Sequence, residues 1–214
     1  MEPLVAIARG GSTRAAAGTV SRSQSAASSA LAELERLAQE SLPGANGLIF
    51  LPYLAGERSP IWDSEASAAW IGLRLGHTRG DMIRAVFEGT AFGLRQIMGL
   101  AESKWGLKPK RMVGVGGGSH SRFWAQIKAD ILCLEYGTTE FQDAGALGAA
   151  LLGAIAGEHF SGLEDPALPS VKISSQWIKP SSVHKQEIYQ RHFEIFTRLY
   201  PLLATSMHEL GQKN

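Results

Sequence analysis

The sequence predicts an α/β domain, and three segments carry that prediction. From Arg111 to Ser121 an apolar run passes into consecutive glycines and then into an amphipathic stretch, the pattern of strand, tight turn and helix. Gly47 to Tyr53 is a short apolar run stopped by Pro52, which reads as a buried strand. From Thr78 onward, Ile83, Val86, Phe87, Thr90, Ala91, Leu94, Ile97 and Met98 recur at helical spacing behind a capping box of Thr78 and Asp81, so a long helix faces the core.

Each element follows in order. After a Gly10-Gly11 turn, residues Thr19 to Gln39 are rich in Ser and Ala and place Leu31, Leu34 and Leu37 at helical spacing. The strand at 47–53 leads into a loop, Ala55 to Asp63, that mixes charges with Trp62 and is a candidate functional surface. Beyond the long helix, a strand at Met112 to Val115 precedes a helix from about Ser121, with Trp124, Ile127 and Ile131 as its buried face. A short strand near Leu132 to Tyr136 completes a β-Gly-α-β unit. Asp143 then opens a helix of small residues through Leu152. Its glycines lower helix propensity, so close approach to a sheet or ligand is their predicted reason. Residues 157–180 carry Pro166, Pro169 and Pro180 and read as loop. The tail, about 181–210, places Tyr189, His192, Phe193, Phe196, Leu199, Tyr200 and Leu203 on one face of a helix that packs on the body. Residues 1–214 thus read as one domain with an appended helix.

Composition narrows the functional classes. A chain of 214 residues with 44% apolar side chains buries a core of its own. A net charge of +1 gives no footprint for nucleic acid or an anionic membrane. The sequence shows no basic leader and no apolar run of membrane-spanning length. The single cysteine, Cys133, lies between leucines and is predicted to be a buried core thiol; without a second cysteine there is no intrachain disulfide, which points to the cytoplasm.

The glycine run is the candidate site. Bare backbone permits close approach of a ligand, and a following helix N-terminus offers free N–H groups to anionic or ribose oxygens. A nucleotide site follows from that chemistry. No Gly-Lys-Ser or Gly-Lys-Thr occurs, which excludes a P-loop. A dinucleotide-binding turn is the rival, with Gly114-x-Gly116 ending the strand and Glu135 where an acid would grip a ribose hydroxyl, although its third glycine falls on Ser119. The six histidines lack metal-ligand spacing, so no metal is expected, and Ser119 and Ser121 lack a nucleophile elbow, which leaves them hydrogen bonding or helix capping. Of five aspartates, Asp81 and Asp143 suit helix starts, Asp130 lies on the helix after the glycines, and Asp165 precedes Pro166. Asp63 alone could face a cleft, and a turn explains it equally well. The chain offers a nucleotide platform without an obvious base.

Four ordered motifs together resemble the C-terminal domain of the FGGY family of carbohydrate kinases, in its xylulokinase and gluconokinase branch. They are Gly47 to Asp63, Arg84 to Phe92, the run Gly116-Gly117-Gly118 with Ser121, Trp124, Gln126 and Asp130, and Ala146 to Ala150. The resemblance implies an actin-like, RNase H-like ATPase domain with a mixed sheet flanked by helices, binding ATP with Mg2+ carried on the nucleotide. It places Gly116, Gly117 and Gly118 along the adenosine and Ser121 as a small polar contact. Gly18 is similar to a second family glycine near the nucleotide, and Arg22 stands where a polar partner is often found, although Ser21 to Ser25 replace the helix the family has there. The resemblance puts no catalytic residue in this chain: the family's catalytic aspartate, sugar contacts and a phosphate-binding loop belong to an amino-terminal domain that would precede Met1. The chain by itself is therefore expected to bind nucleotide weakly and to transfer little phosphate, with a missing or separately encoded amino-terminal domain as partner. A non-catalytic module for regulation or assembly is the alternative. A surface left uncovered by the absent domain would favour self-association into a homo-oligomer.

Overall fold

The structure, a computed structural model, describes residues 24–140, 143–169 and 172–211. Its elements are α1 (Gln24–Gln39), β1 (Ile49–Leu51), β2 (Ala69–Ile71), α2 (Arg79–Trp105), β3 (Arg111–Gly114), α3 (Arg122–Leu132), β4 (Glu135–Thr138), α4 (Ala144–Ala156) and α5 (Val183–Gly211). The α/β class is as predicted, and the strand senses are mixed. β1 and β2 pair antiparallel, with Phe50 opposite Trp70. β3 and β4 pair parallel across α3, with Arg111 opposite Glu135 and Gly114 opposite Thr138. Among the described residues these are two separate pairs, and the segment after α4 adds antiparallel bridges from Ile173 to Thr139 and from Ile178 to Tyr136.

α2 organises the core. Its start is as the sequence predicts: Thr78 caps the helix, accepting from the Asp81 N–H, while the Asp81 carboxylate accepts from the Thr78 N–H at 2.8 Å. That carboxylate also accepts from Ser41 Oγ at 2.5 Å and Asn46 Nδ2 at 2.7 Å, linking the helix start to the turn before β1. Burial raises the Asp81 pKa, but the donors from Ser41, Thr78 and Asn46 outweigh it and hold the group at about 2. The predicted single apolar face is a partial picture. Arg84, Ala85, Glu88, Gly89 and Phe92 are buried alongside Ile83, Phe87 and Ala91, whereas Ile97 is exposed. The reason is that neighbours surround the first half of the helix and not the second. Phe87 meets Phe123 and Trp124 of α3 edge-on, and Phe92 packs with Tyr189, Phe193 and Phe196 of α5. Gly80 lies against the Leu37 carbonyl at the end of α1, and Gly89 lies against the Phe50 carbonyl of β1.

Within this core sits an ionic network. Glu88 accepts from Arg84 Nε at 2.7 Å, from the Gly44 N–H at 3.0 Å and from the Tyr189 hydroxyl at 3.0 Å. Arg84 also donates to the Ser41 carbonyl at 2.9 Å and to the Tyr189 oxygen at 3.0 Å. Burial pushes the Glu88 pKa up, and Arg84 only partly pulls it back. The network ties α2, the turn before β1 and α5 at one point.

Three expectations are corrected. Cys133 is exposed, because α3 runs on to Leu132 and Cys133 stops it in a left-handed conformation (φ 54°) that turns the thiol outward. The strand predicted at Leu132 to Tyr136 consequently starts at Glu135. In α4 the Asp143 cap forms as predicted, accepting from the Ala146 N–H at 2.9 Å, but no residue of the helix is buried. A methyl added at Gly148 or Gly153 would meet no atom of the described residues within 4 Å, so close approach to a sheet is not what keeps these glycines. α5 forms as predicted, burying Tyr189 and Phe196, and continues past Pro201 to bury Met207 as well.

Candidate functional site

The glycine run folds as a turn at the C-terminal end of β3. Gly116 adopts φ 80°, ψ 173°, a conformation open only to glycine, and Gly117–His120 form one 3-10 turn before α3. Ser119 closes that turn from below. Its side chain donates to the Gly116 carbonyl at 2.6 Å, its N–H reaches the same oxygen at 3.0 Å, and it is buried. Ser121 caps α3, its hydroxyl oxygen accepting from the Trp124 N–H at 3.1 Å, which leaves its hydroxyl hydrogen available to an outside acceptor. Both serines take the hydrogen-bonding and capping parts the sequence suggested.

The glycines serve different ends. A methyl at Gly114 would overlap the Tyr136 hydroxyl, and one at Gly118 would come within 2.9 Å of Trp124 Cζ3, so these two are bare because aromatic side chains press on them from inside. Gly117 has no atom within 4 Å of a methyl position and is exposed. Its bareness has no internal cause. Beneath the turn, Lys128 Nζ stands 3.9 Å over the Trp124 ring and 3.4 Å from the Tyr136 hydroxyl, and burial lowers its pKa to about 8. Beside the turn lies a concavity of about 370 Å³, lined by Ser119, Arg122, Tyr136, Thr138, Gln176 and Trp177. Arg122 and Trp177 are lining residues that the fold adds to those the sequence points to. Arg122 carries a sequence signal, as the first residue of a helix after a glycine turn; Trp177 comes from a loop that only the fold brings here.

Gly116, Gly117, Gly118 and Ser121 are thus gathered in one turn at the surface, with Gly117 its exposed tip, whereas Gly18 and Arg22 lie outside the described residues. The dinucleotide reading loses its acid. Glu135 pairs with Arg111 at the start of both parallel strands, the end opposite the glycines, and its carboxylate bonds Arg111 Nε at 2.8 Å.

Asp63 is held by the tail helix. Its carboxylate accepts from the Tyr200 hydroxyl, contacts His208 Nε2 at 2.6 Å and accepts from the Glu65 N–H at 2.9 Å. The His208 and Tyr200 hydrogen bonds draw the Asp63 pKa down to about 2, and the Asp63 hydrogen bond raises that of His208. The signs bound a pH window. The depressed Asp63 contributes fully above its ordinary value of 3.8 and loses its contribution as pH falls toward 2. The raised His208 contributes fully below its ordinary 6.5 and loses its contribution as pH rises through its folded value. The contact is therefore expected to be strongest between about pH 4 and 6.5. Proton NMR of His208 should titrate above a free histidine, and in His208→Gln the protection of the last α5 amides, taken as the exchange rate relative to the intrinsic rate at each pH, should no longer fall as pH rises through that midpoint. A His208 midpoint at or below the free value would contradict the pair.

Comparison with known proteins places these features among relatives. Residues 8–157 match the FGGY family of carbohydrate kinases, C-terminal domain. The xylulose kinase of Staphylococcus epidermidis is 32% identical over 168 residues, 78% of this chain and 33% of that protein. The gluconokinase of Bacillus licheniformis is 38% identical over 124 residues, 58% of this chain and 24% of that protein. The ligand-bound xylulose kinase from Lactobacillus acidophilus superposes with a TM-score of 0.71 at 28% identity, over 89% of this chain and 37% of that one. The xylulose kinase from Rhodospirillum rubrum gives 0.69 at 34% identity, over 85% and 36%. The chain spans about a third of the length of these xylulose kinases. No helix among the described residues is long and apolar enough to cross a membrane.

Proposed function

Because the chain belongs to the FGGY family of carbohydrate kinases, whose C-terminal domain its residues 8–157 match, we propose that it is the ATP-binding lobe of a cytoplasmic sugar kinase. In this reading residues 1–214 form one nucleotide lobe with helix 181–210 packed on it. The acceptor is a hydroxyl of a ketose, sugar acid or polyol. A second lobe, corresponding to the remainder of the longer relatives, supplies the sugar contacts and the catalytic aspartate. ATP supplies the γ-phosphoryl group and carries Mg2+ on its phosphates.

The observation that carries the reading is the internally uncrowded backbone at half-buried Gly116 and exposed Gly117 beside a concavity of about 370 Å³. That volume falls within the range of small-ligand sites. The residues fit a nucleoside: Gly116 to Gly118 supply a surface without side chains, Ser121 a free hydroxyl hydrogen, and Trp177 an apolar wall. Gly18 and Arg22 are proposed to complete the contacts. The turn's rigidity matters as much as its bareness, since phosphoryl transfer depends on positioning and charge stabilisation across both lobes. By itself the chain binds nucleotide weakly and turns over little.

Gly117→Asp tests this directly. Gly117 has an ordinary φ and open space around it, so the variant folds normally while setting a carboxylate where the nucleoside would lie. Titration calorimetry should show at least tenfold weaker ATP and ADP binding with unchanged thermal stability. Equal affinity in both proteins would move the nucleotide elsewhere.

A further inference from the structure

The loop at 55–65 is built to hold one side chain outward. Trp62 is 86% exposed at its tip. Around it the backbone is fixed: Glu57 and Asp63 exchange two main-chain hydrogen bonds of 2.8 and 2.9 Å, and the Glu57 carboxylate accepts from the N–H groups of Arg58 and Ser59 at 2.8 and 3.1 Å. Gly56 turns with φ 73°, pressed against the Ser64 backbone. Ile61 packs on the main core, and Asp63 is clamped by Tyr200 and His208 of α5. Tyr200 in turn stacks edge-on against Tyr53. Glu57 and Asp63 are thus occupied internally, whereas the third acid of the loop, Glu65, is exposed at the same cup. The Arg58 guanidinium has no hydrogen bond or ion pair among the described residues, and with Trp62 it borders a cup of about 520 Å³.

A large indole carried into water on a hydrogen-bonded loop has no stabilising part to play in this chain, and leaving it exposed forfeits about 2 kcal/mol or more of burial. Trp and Arg are the residues from which protein interfaces draw most of their binding energy, and a loop whose backbone is already fixed loses less entropy on docking than a mobile one. We propose that the Trp62–Arg58 loop is the anchor by which this lobe docks onto the rest of the kinase, the sugar-binding lobe, and that α5 acts as its brace. The occupant is argued from length. About two thirds of each relative's own length lies outside the part this chain covers, so a folded body is available to meet the face. The brace comes from α5, which lies beyond the matched residues 8–157. Arg58 selects an acidic or carbonyl-rich patch and Trp62 an apolar pocket on that body.

This proposal rests on the nucleotide-lobe reading, but its test does not use the nucleotide. The full chain is fused behind the first two thirds of the S. epidermidis xylulose kinase in place of that enzyme's own last third, and hydroxyl-radical footprinting compares the fusion with the free chain. Trp62 oxidation should fall about tenfold on fusion, while Trp105, 73% exposed at the far end of α2, stays as reactive as before. Trp62→Ala, which removes no internal contact, should raise the sugar concentration giving half-maximal turnover in the fusion at least fivefold without lowering its melting temperature. Undiminished Trp62 oxidation in the fusion overturns the proposal. So does protection that appears in the free chain as its concentration rises, since a second copy is then the occupant. Loss of ATP binding by the free chain would sink the nucleotide reading and leave these footprints as they are.

Discussion

Replacing Gly89 by alanine is expected to unfold most of the protein or to lower its stability by more than about 3 kcal/mol. A methyl there overlaps the Phe50 carbonyl oxygen and comes within 3.1 Å of its carbon and 3.3 Å of its Cβ. Two effects oppose each other. Alanine in a helix interior is favoured over glycine by about 1 kcal/mol. Against that, the obstacle is main chain of β1, which has no rotamer to change, so α2 and β1 must separate. Overpacking of side chains alone costs about 1–3 kcal/mol. Separation here also loosens Phe50, Leu51 and Phe87, all buried. The clash wins, and against a total stability of about 5–15 kcal/mol it is a large loss. Urea unfolding followed by circular dichroism measures it. A Gly89→Ala midpoint at or above that of the parent would show that helix and strand can part cheaply.

Glu88→Ala is expected to cost about 3–5 kcal/mol, the range for removing one member of a buried ion pair. The side chain accepts from Arg84, Gly44 and Tyr189, so its loss strands a buried guanidinium, an N–H and a hydroxyl together. The double variant Arg84→Met with Glu88→Leu separates charge from packing. With both charges gone it should recover part of the loss, though not all, because the Gly44 N–H and the Ser41 carbonyl still lack partners. Chemical denaturation of the parent, single and double variants forms the cycle. If the double variant is no more stable than Glu88→Ala, the pair's charge is not the source of the cost. The fragile part would then be the tie between α5 and the turn before β1.

These two positions lie in the second of the four motifs that carry the family resemblance, yet neither role is legible there. In the sequence Gly89 and Glu88 stand only as members of the stretch from Arg84 to Phe92, and helical spacing assigns the core face to Ile83, Val86, Phe87, Thr90, Ala91, Leu94, Ile97 and Met98. Periodicity detects one apolar face and treats charged residues as solvent-facing. A helix surrounded by a strand and three other helices breaks that assumption. The glycine turn was legible for a complementary reason: its strand, its bare residues and the Ser121 cap are consecutive, and each is a local property of backbone and neighbouring side chain. What each glycine is for was not, because the Tyr136 and Trp124 side chains that crowd Gly114 and Gly118 approach from a different strand and from the next helix.

By itself the sequence determined the α/β class, the capped start of α2, the strand-turn-helix that carries the candidate nucleotide site, and a tail helix with an apolar face. Those follow from hydrogen bonds and spacings that close within a few residues. Only the tertiary structure decided that Cys133 faces solvent, that Glu88 and Arg84 are interior, and that Asp63 belongs to a brace with Tyr200 and His208. The contacts responsible join residues 101 positions apart at Glu88 and Tyr189, and 145 apart at Asp63 and His208. The energy of such a contact depends on which surfaces the fold brings together, and no local pattern encodes that.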